Sequence, residues 1–215
     1  MCYQTRLLKN KLELQKRFKG TVDDMEGFEP QKIIKAFDFP KTPVITNTNP
    51  DTIQCYQWGL IPSWSNDKSI QNYTLNARIE TLEEKPAFKE ATQNRCLVLA
   101  DGFYEWKWLT ASGSKKEKYR MSLPKDALFA FAGIYSSWVD LEGNTTGTYS
   151  ILTTEANELM RTIHNSKKRM PIVLSEVEER EWLQGASIKK FAQGFQGTLL
   201  ATNLNHNPNQ LGFFQ

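Results

Sequence analysis

The sequence predicts an α+β fold in one domain spanning residues 1–215, a twisted and mostly antiparallel sheet with helices at its edges. Three observations predict it. The chain has 215 residues and no Pro/Gly/Ser-rich stretch that would divide it. Short runs rich in β-branched and aromatic residues recur along it, bounded by polar turn formers. Its helical patterns are few and short, and two of them carry recognisable N-terminal signals.

In order, residues 9–18 read as a helix, with Leu8, Leu12, Leu14 and Phe18 supplying the apolar side. Residues 20–50 are irregular and rich in proline, with a short strand at Pro43-Val44-Ile45-Thr46. Residues 55–64 read as a strand running into a shaped loop, with Trp58 in the core and Trp64 free to offer a face to a nucleic-acid base. Residues 75–81 are extended, which puts Asn76 and Arg78 on one face. An amide beside a guanidinium suits a sugar-phosphate ligand, the Arg forking onto phosphate. Pro86 opens a short helix over 86–91.

Residues 97–108 are the centre of the reading. Leu97 to Ala100 form a continuous apolar run, broken at Asp101-Gly102 and resumed with aromatics. Glu105 lies between Tyr104 and Trp106. A carboxylate in such surroundings loses solvation, which raises its pKa and lets it pass a proton near neutrality. Simple strand alternation would instead turn it to solvent. Strands follow at 119–123, 128–134 and 149–153, after a polar loop at 112–118. A helix over 155–161 capped by Thr154 leads into His164 and the basic cluster Lys167-Lys168-Arg169, pinned before an apolar strand at 172–174. A capping box, Ser175 with Glu178, starts a helix over 175–184. One more short helix, a strand at 197–202 and a polar tail complete the chain.

Composition narrows the function. With 27 basic and 24 acidic residues, the net charge of +3 names no partner by itself. Three cysteines, Cys2, Cys55 and Cys96, lack metal-ligand spacing and favour a reduced intracellular protein. Two histidines, no H-E-x-x-H and no paired C-x-x-C argue against a zinc enzyme, and no phosphate loop or repeat is present. No apolar run reaches membrane-spanning length, and Lys9-Asn10-Lys11 directly after Leu7-Leu8 leaves no signal-peptide core.

Cys2 follows Met1 directly. Removal of Met1 would leave an α-amine and a thiol on adjacent carbons. The amine, with an ordinary pKa of about 7.7–8.0, is partly neutral at physiological pH. It can condense with an aldehyde, after which the thiol closes a thiazolidine ring intramolecularly. While Met1 remains, that amine does not exist.

Taken together, Met1-Cys2, Trp58-Gly59-Leu60-Ile61-Pro62-Ser63-Trp64, Asn76-Ala77-Arg78-Ile79-Glu80-Thr81, Ala100-Asp101-Gly102-Phe103-Tyr104-Glu105-Trp106, and His164 with Arg169-Met170-Pro171 resemble the SRAP family of SOS-response-associated peptidases, or abasic-site processing proteins. The resemblance implies a sheet curled towards a barrel. It implies that Cys2 crosslinks to the ring-opened abasic deoxyribose of single-stranded DNA, and that Asn76 hydrogen-bonds the opened sugar. Glu105 is then the acid/base and His164 the second proton-transfer group. Arg78 and Arg169 match phosphate contacts, and Trp106 packs at the DNA site, with Trp64 as a further candidate face. The same machinery would process the N-terminus. No metal or cofactor is implied; the expected partner is abasic single-stranded DNA, and the expected protein is a cytoplasmic monomer, nucleoid-associated when bound. The chain departs from the family at Tyr3-Gln4, where Gly-Arg is usual, and in a longer spacing between His164 and Arg169. Two other classes fit the same residues: a thiol peptidase acting in trans, with Cys2 as nucleophile and His164 as base, and a non-catalytic single-strand-binding module.

Overall fold

The computed structural model describes residues 2–23, 25 and 28–205. In chain order the elements are β1 (Gln4–Leu7), α1 (Lys11–Phe18), β2 (Thr21–Val22), β3 (Gln31–Lys35), β4 (Lys41–Thr46), β5 (Asn49–Trp58), β6 (Asn76–Arg78), α2 (Pro86–Lys89), β7 (Arg95–Ala100), β8 (Gly102–Trp108) and β9 (Lys116–Ser122). They continue as β10 (Phe129–Val139), β11 (Thr145–Glu155), α3 (Glu158–Ile163), β12 (Arg169–Pro171), β13 (Val173–Leu174), α4 (Glu176–Leu183) and β14 (Leu200–Asn203), with single 3-10 turns between.

The apolar run that predicted a buried strand is β7, every residue of which is buried. It pairs antiparallel with β4 on one side and β10 on the other. Around it the strands run β11-β10-β7-β4-β5, and β5 returns to pair in parallel with β11, Gln57 opposite Thr148 and Trp58 opposite Tyr149. That last pairing closes five strands into a barrel, which leaves no free edge among them. Trp58 and Tyr149 stack at this seam, ring centroids 6.1 Å apart, and Phe129 meets Phe131 edge to face at 5.0 Å. Both expectations, the α+β class and the curl towards a barrel, are met. The strands nevertheless divide into two sheets, because a second sheet runs β14-β9-β8-β1-β3.

Asp101-Gly102 is where the chain passes from the barrel into that second sheet. Asp101 is fully buried and accepts from Arg6 Nε at 2.6 Å and from the Leu8 backbone N–H at 2.7 Å. β1 is thereby tied to the start of β8, with Thr5 opposite Phe103. Gly102 is needed for this closeness, since a Cβ there would lie 3.0 Å from the Met121 carbonyl oxygen.

The helices follow their caps. α1 starts on a reciprocal capping box of Asn10 and Glu13 and stops at Lys19, whose φ of 56° leaves helical geometry. Its apolar face is narrower than expected: Leu14 is buried, but Leu12 is 73% and Leu8 46% exposed. Leu12 and Leu14 are two positions apart and point to different sides of the helix. The Ser175 capping box starts α4 as expected. The helix expected over 155–161 is instead Glu158–Ile163 capped by Asn157, because β11 runs on to Glu155, held by pairing with Arg169. Among the described residues no helix is long and apolar enough to cross a membrane. The expected domain span includes residues 206–215, which lie outside the described residues, as does Met1.

Candidate active site

Cys2 precedes β1 and is fully buried. Its carbonyl accepts from Asn76 Nδ2 at 2.9 Å, and its thiol lies 3.7 Å from the Gln4 carbonyl oxygen. β6 delivers Asn76 by pairing in parallel with β11, Asn76 opposite Ile151. Burial, reinforced by the nearby Glu105 carboxylate, pushes the Cys2 thiol well above its ordinary range. Cys2 and Glu105 therefore share one electrostatic environment.

Glu105 does not turn to solvent. It is 3% exposed, and burial pushes its carboxyl up to about 7 despite the Trp106 backbone N–H that favours the charged form. His164 Nε2 lies 3.8 Å from Glu105 Oε2. That is within ion-pair range but beyond a direct hydrogen bond. His164 Nδ1 lies 2.7 Å from the Arg169 carbonyl oxygen. A carbonyl only accepts, so Nδ1 carries the proton. Burial, with Lys167 adding to it, lowers His164 to about 4 against the Arg169 hydrogen bond, so the ring is neutral at physiological pH.

Two devices that the sequence did not signal hold His164 there. Asn165 donates to the Trp108 carbonyl at 2.9 Å and accepts from the Trp108 N–H at 3.0 Å, fastening the loop after α3 to the end of β8. Lys168, at φ 51°, closes the loop by donating its N–H to the His164 carbonyl at 2.8 Å.

Above these groups opens a cleft of about 390 Å³. Arg78, Lys116, Lys167 and Arg169 line it, with Glu105 the carboxylate among the lining residues, so its field is positive. Tyr3, Trp106 and Trp108 add aromatic surface. Tyr3 packs on Phe37 with centroids 5.0 Å apart. Gln4, the other departure from the family pattern, accepts from Lys118 Nζ at 2.8 Å, and that ammonium sits 5.2 Å from the Trp106 ring centroid. Position 4 is thus neutral but holds a cation beside it.

Of the residues expected at a site, Arg78, Glu105, Trp106, His164 and Arg169 line the cleft, and Cys2, next in the chain to Tyr3 of that lining, is buried with Asn76 bonded to its carbonyl. Trp64 does not: it is 51% exposed but outside the cleft lining. Arg78 is exposed, whereas Arg169 is buried and gives both terminal nitrogens to Glu80, at 2.8 and 2.9 Å. A larger cleft of about 570 Å³ lies beside Arg17 and Glu179, away from these groups. Among the described residues no cluster of His, Cys, Asp or Glu is placed to hold a metal ion.

A family model described as SOS response associated peptidase (SRAP) matches residues 1–207. Abasic site processing protein YoqW of Bacillus subtilis is 48% identical over 128 residues, which is 59% of this chain and 55% of that protein. Abasic site processing protein HMCES of Xenopus tropicalis is 33% identical over 151 residues, 59% of this chain and 43% of that protein. The chain thus spans about half the length of the curated relatives it matches. A crystal structure of a Bacteroides thetaiotaomicron protein superposes with a TM-score of 0.85 at 32% identity, covering 94% of this chain and 91% of that one. A Bordetella bronchiseptica protein at 21% identity shares the fold, with a TM-score of 0.77. The chain belongs to the SOS response associated peptidase (SRAP) family.

Proposed function

We propose that this protein captures ring-opened abasic sites in single-stranded DNA by forming a covalent thiazolidine through Cys2, once Met1 has been removed. The observation that carries the reading is the meeting of Cys2, Asn76, Glu105 and a neutral His164 beneath a positively lined cleft. The names of the relatives point the same way: YoqW and HMCES are called abasic site processing proteins.

The chemistry runs as follows. In the closed sugar, the unprotonated Nε2 of His164 takes the proton from the C1′ hydroxyl while protonated Glu105 gives one to the ring oxygen, and the aldehyde opens. Asn76 Oδ1 is buried and has no hydrogen-bond donor among the described residues. A sugar hydroxyl freed by ring opening would satisfy it, which favours the open form. The Cys2 amine adds to the aldehyde carbon; Glu105 takes back the proton that His164 accepted, across the 3.8 Å between them, and gives it to the carbinolamine hydroxyl, which leaves as water. The thiol then adds to the C=N carbon and gives its proton to the Glu105 carboxylate. One water leaves overall, and nothing is oxidised or reduced. A carboxyl with a pKa of about 7 serves both directions near neutrality.

Arg78, Lys116 and Lys167 are assigned to the phosphates, and Trp106 and Trp108 to stacking against bases. Self-removal of Met1 by the same groups is part of the reading. A peptidase acting in trans, with Cys2 as nucleophile and His164 as base, would be shown by turnover of an unrelated peptide.

A denaturing-gel assay with an abasic single-stranded oligonucleotide tests the proposal. Wild-type protein should give a band that survives denaturation, undamaged DNA should give none, and Cys2→Ala should give none while still binding DNA reversibly. An adduct persisting in Cys2→Ala would overturn the assignment of the nucleophile. Reversible binding without any adduct would leave a single-strand-binding module.

A further inference from the structure

We infer that Glu80 is a positioning residue for proton transfer: by clamping Arg169 it holds the carbonyl that keeps His164 in the tautomer with an unprotonated Nε2 facing Glu105. The inference rests on the proposed aldehyde capture for its kinetic consequence, but its structural core does not.

Arg169 is 8% exposed and makes a two-pronged contact, one terminal nitrogen 2.8 Å from Glu80 Oε1 and the other 2.9 Å from Glu80 Oε2. The second nitrogen also donates to the Thr153 carbonyl at 2.8 Å and to Thr153 Oγ1 at 3.2 Å. Fork-to-fork geometry of this kind fixes orientation as well as contributing energy. Burial works to raise the Glu80 carboxyl, but the hydrogen bonds from Arg169, a backbone hydrogen bond and the charges of Arg169 and Arg78 together outweigh it and hold the carboxyl below its ordinary value. Glu80 therefore stays ionised throughout the neutral range.

The backbone of Arg169 needs such a clamp. It is the first residue of β12, a three-residue strand, and pairs with Glu155 at the end of β11. Just before it, Lys168 adopts φ 51° to close the loop from His164. The Arg169 carbonyl is the one that receives the His164 Nδ1 proton at 2.7 Å. Its side chain crosses β11 at Thr153 to reach Glu80 in the 3-10 turn Ile79–Thr81, directly after Arg78 on β6. One residue thus couples the wall that carries Asn76 and Arg78 to the imidazole facing Glu105.

The same contacts occupy both terminal nitrogens of Arg169 and leave Nε as its donor with no partner among the described residues. Arg78, exposed in the same cleft, is better disposed to meet a phosphate.

The test uses Glu80→Ala, Glu80→Asp and Glu80→Gln in the full chain, with two readouts. Imidazole 15N–1H correlation spectra of the protein without DNA, assigned with His164→Gln, report the tautomer. Single-turnover crosslinking across pH, with salt-dependent DNA affinity measured separately, reports function. Wild type should show one Nδ1–H tautomer at pH 7. Glu80→Ala should show a mixture and crosslink about tenfold more slowly or worse, with affinity and salt slope within about twofold, since a misplaced tautomer removes proton transfer rather than binding. Glu80→Asp should recover most of both signals. Glu80→Gln loses the charge at constant shape and supplies the same tautomer readout should Glu80→Ala not fold. An unchanged tautomer with an unchanged rate profile in the Ala and Gln variants overturns the inference. So does a defect confined to DNA affinity and salt slope, which would make Arg169 a phosphate contact restrained by Glu80. If wild type forms no adduct but the tautomer responds to Glu80, the capture reading fails and the positioning role stands.

Discussion

Glu105→Gln separates stability from chemistry at one atom, since Gln matches the protonated carboxyl in shape. In the folded protein the Glu105 carboxyl is pushed from its ordinary 4.5 up to about 7, chiefly by burial. A raised carboxyl contributes its full share of stability below the unfolded pKa and loses it as pH rises through the folded value. At about 1.36 kcal/mol per pH unit, the loss accumulated between pH 4.5 and 7 is about 3 kcal/mol. His164 acts in the opposite sense. Its folded pKa is lowered from 6.5 to about 4, so its share of stability is lost as pH falls through that window. The two trends offset each other in wild type, and stability should vary little from these groups between pH 4.5 and 7. Gln at 105 removes one of them. Urea denaturation at pH 4.5, 6 and 8 should show the variant matching wild type at the lowest pH and exceeding it by about 3 kcal/mol at pH 8. The same variant should lose most of its crosslinking rate. A variant equal to or weaker than wild type at pH 8 would refute the buried carboxyl as described.

Three further outcomes follow from other contacts. Asp101→Ala should destabilise the protein by about 3 kcal/mol, because it leaves buried Arg6 with Asp126, itself 39% exposed, as its remaining ion-pair partner. Thermal melts measure the loss, and hydrogen exchange should show protection falling first at the Leu8 amide. Affinity for abasic single-stranded DNA should fall with salt at a log–log slope of about −2 if Arg78, Lys116 and Lys167 each meet one phosphate, and Arg78→Ala should flatten it by about 0.7; fluorescence anisotropy between 50 and 200 mM salt measures both. Protein purified with Met1 still attached should bind abasic DNA without forming an adduct, as read by mass spectrometry and denaturing gel.

The sequence carried the site's residue types better than its supports. The run Leu97 to Ala100 was legible because a strand buried on both faces needs no alternation. Glu105 was harder: periodicity alone would have sent it outward, yet it is buried, with His164 from the end of α3 3.8 Å away. That approach depends on Asn165 binding both backbone groups of Trp108, a contact between residues 57 apart that no local pattern encodes. The phosphate role expected of Arg169 rests on the family resemblance, and no local pattern marks the acid that its side chain meets, since Glu80 is 89 residues away. At Asp101 the sequence shows only a break in the apolar run, whereas in the fold its carboxylate anchors β1, which leads back to Cys2. Thr154 and Asn157 are both competent caps, and the choice fell to the strand pairing of Glu155.

Intact mass spectrometry of the purified protein, alone and after incubation with an abasic oligonucleotide, followed by peptide mapping, addresses the aminothiol directly. The expected result is a chain lacking Met1 that gains the oligonucleotide less one water, with the added mass on the peptide beginning at Cys2. A chain that retains Met1 and still forms the adduct, or an adduct mapped to any other residue, would contradict it.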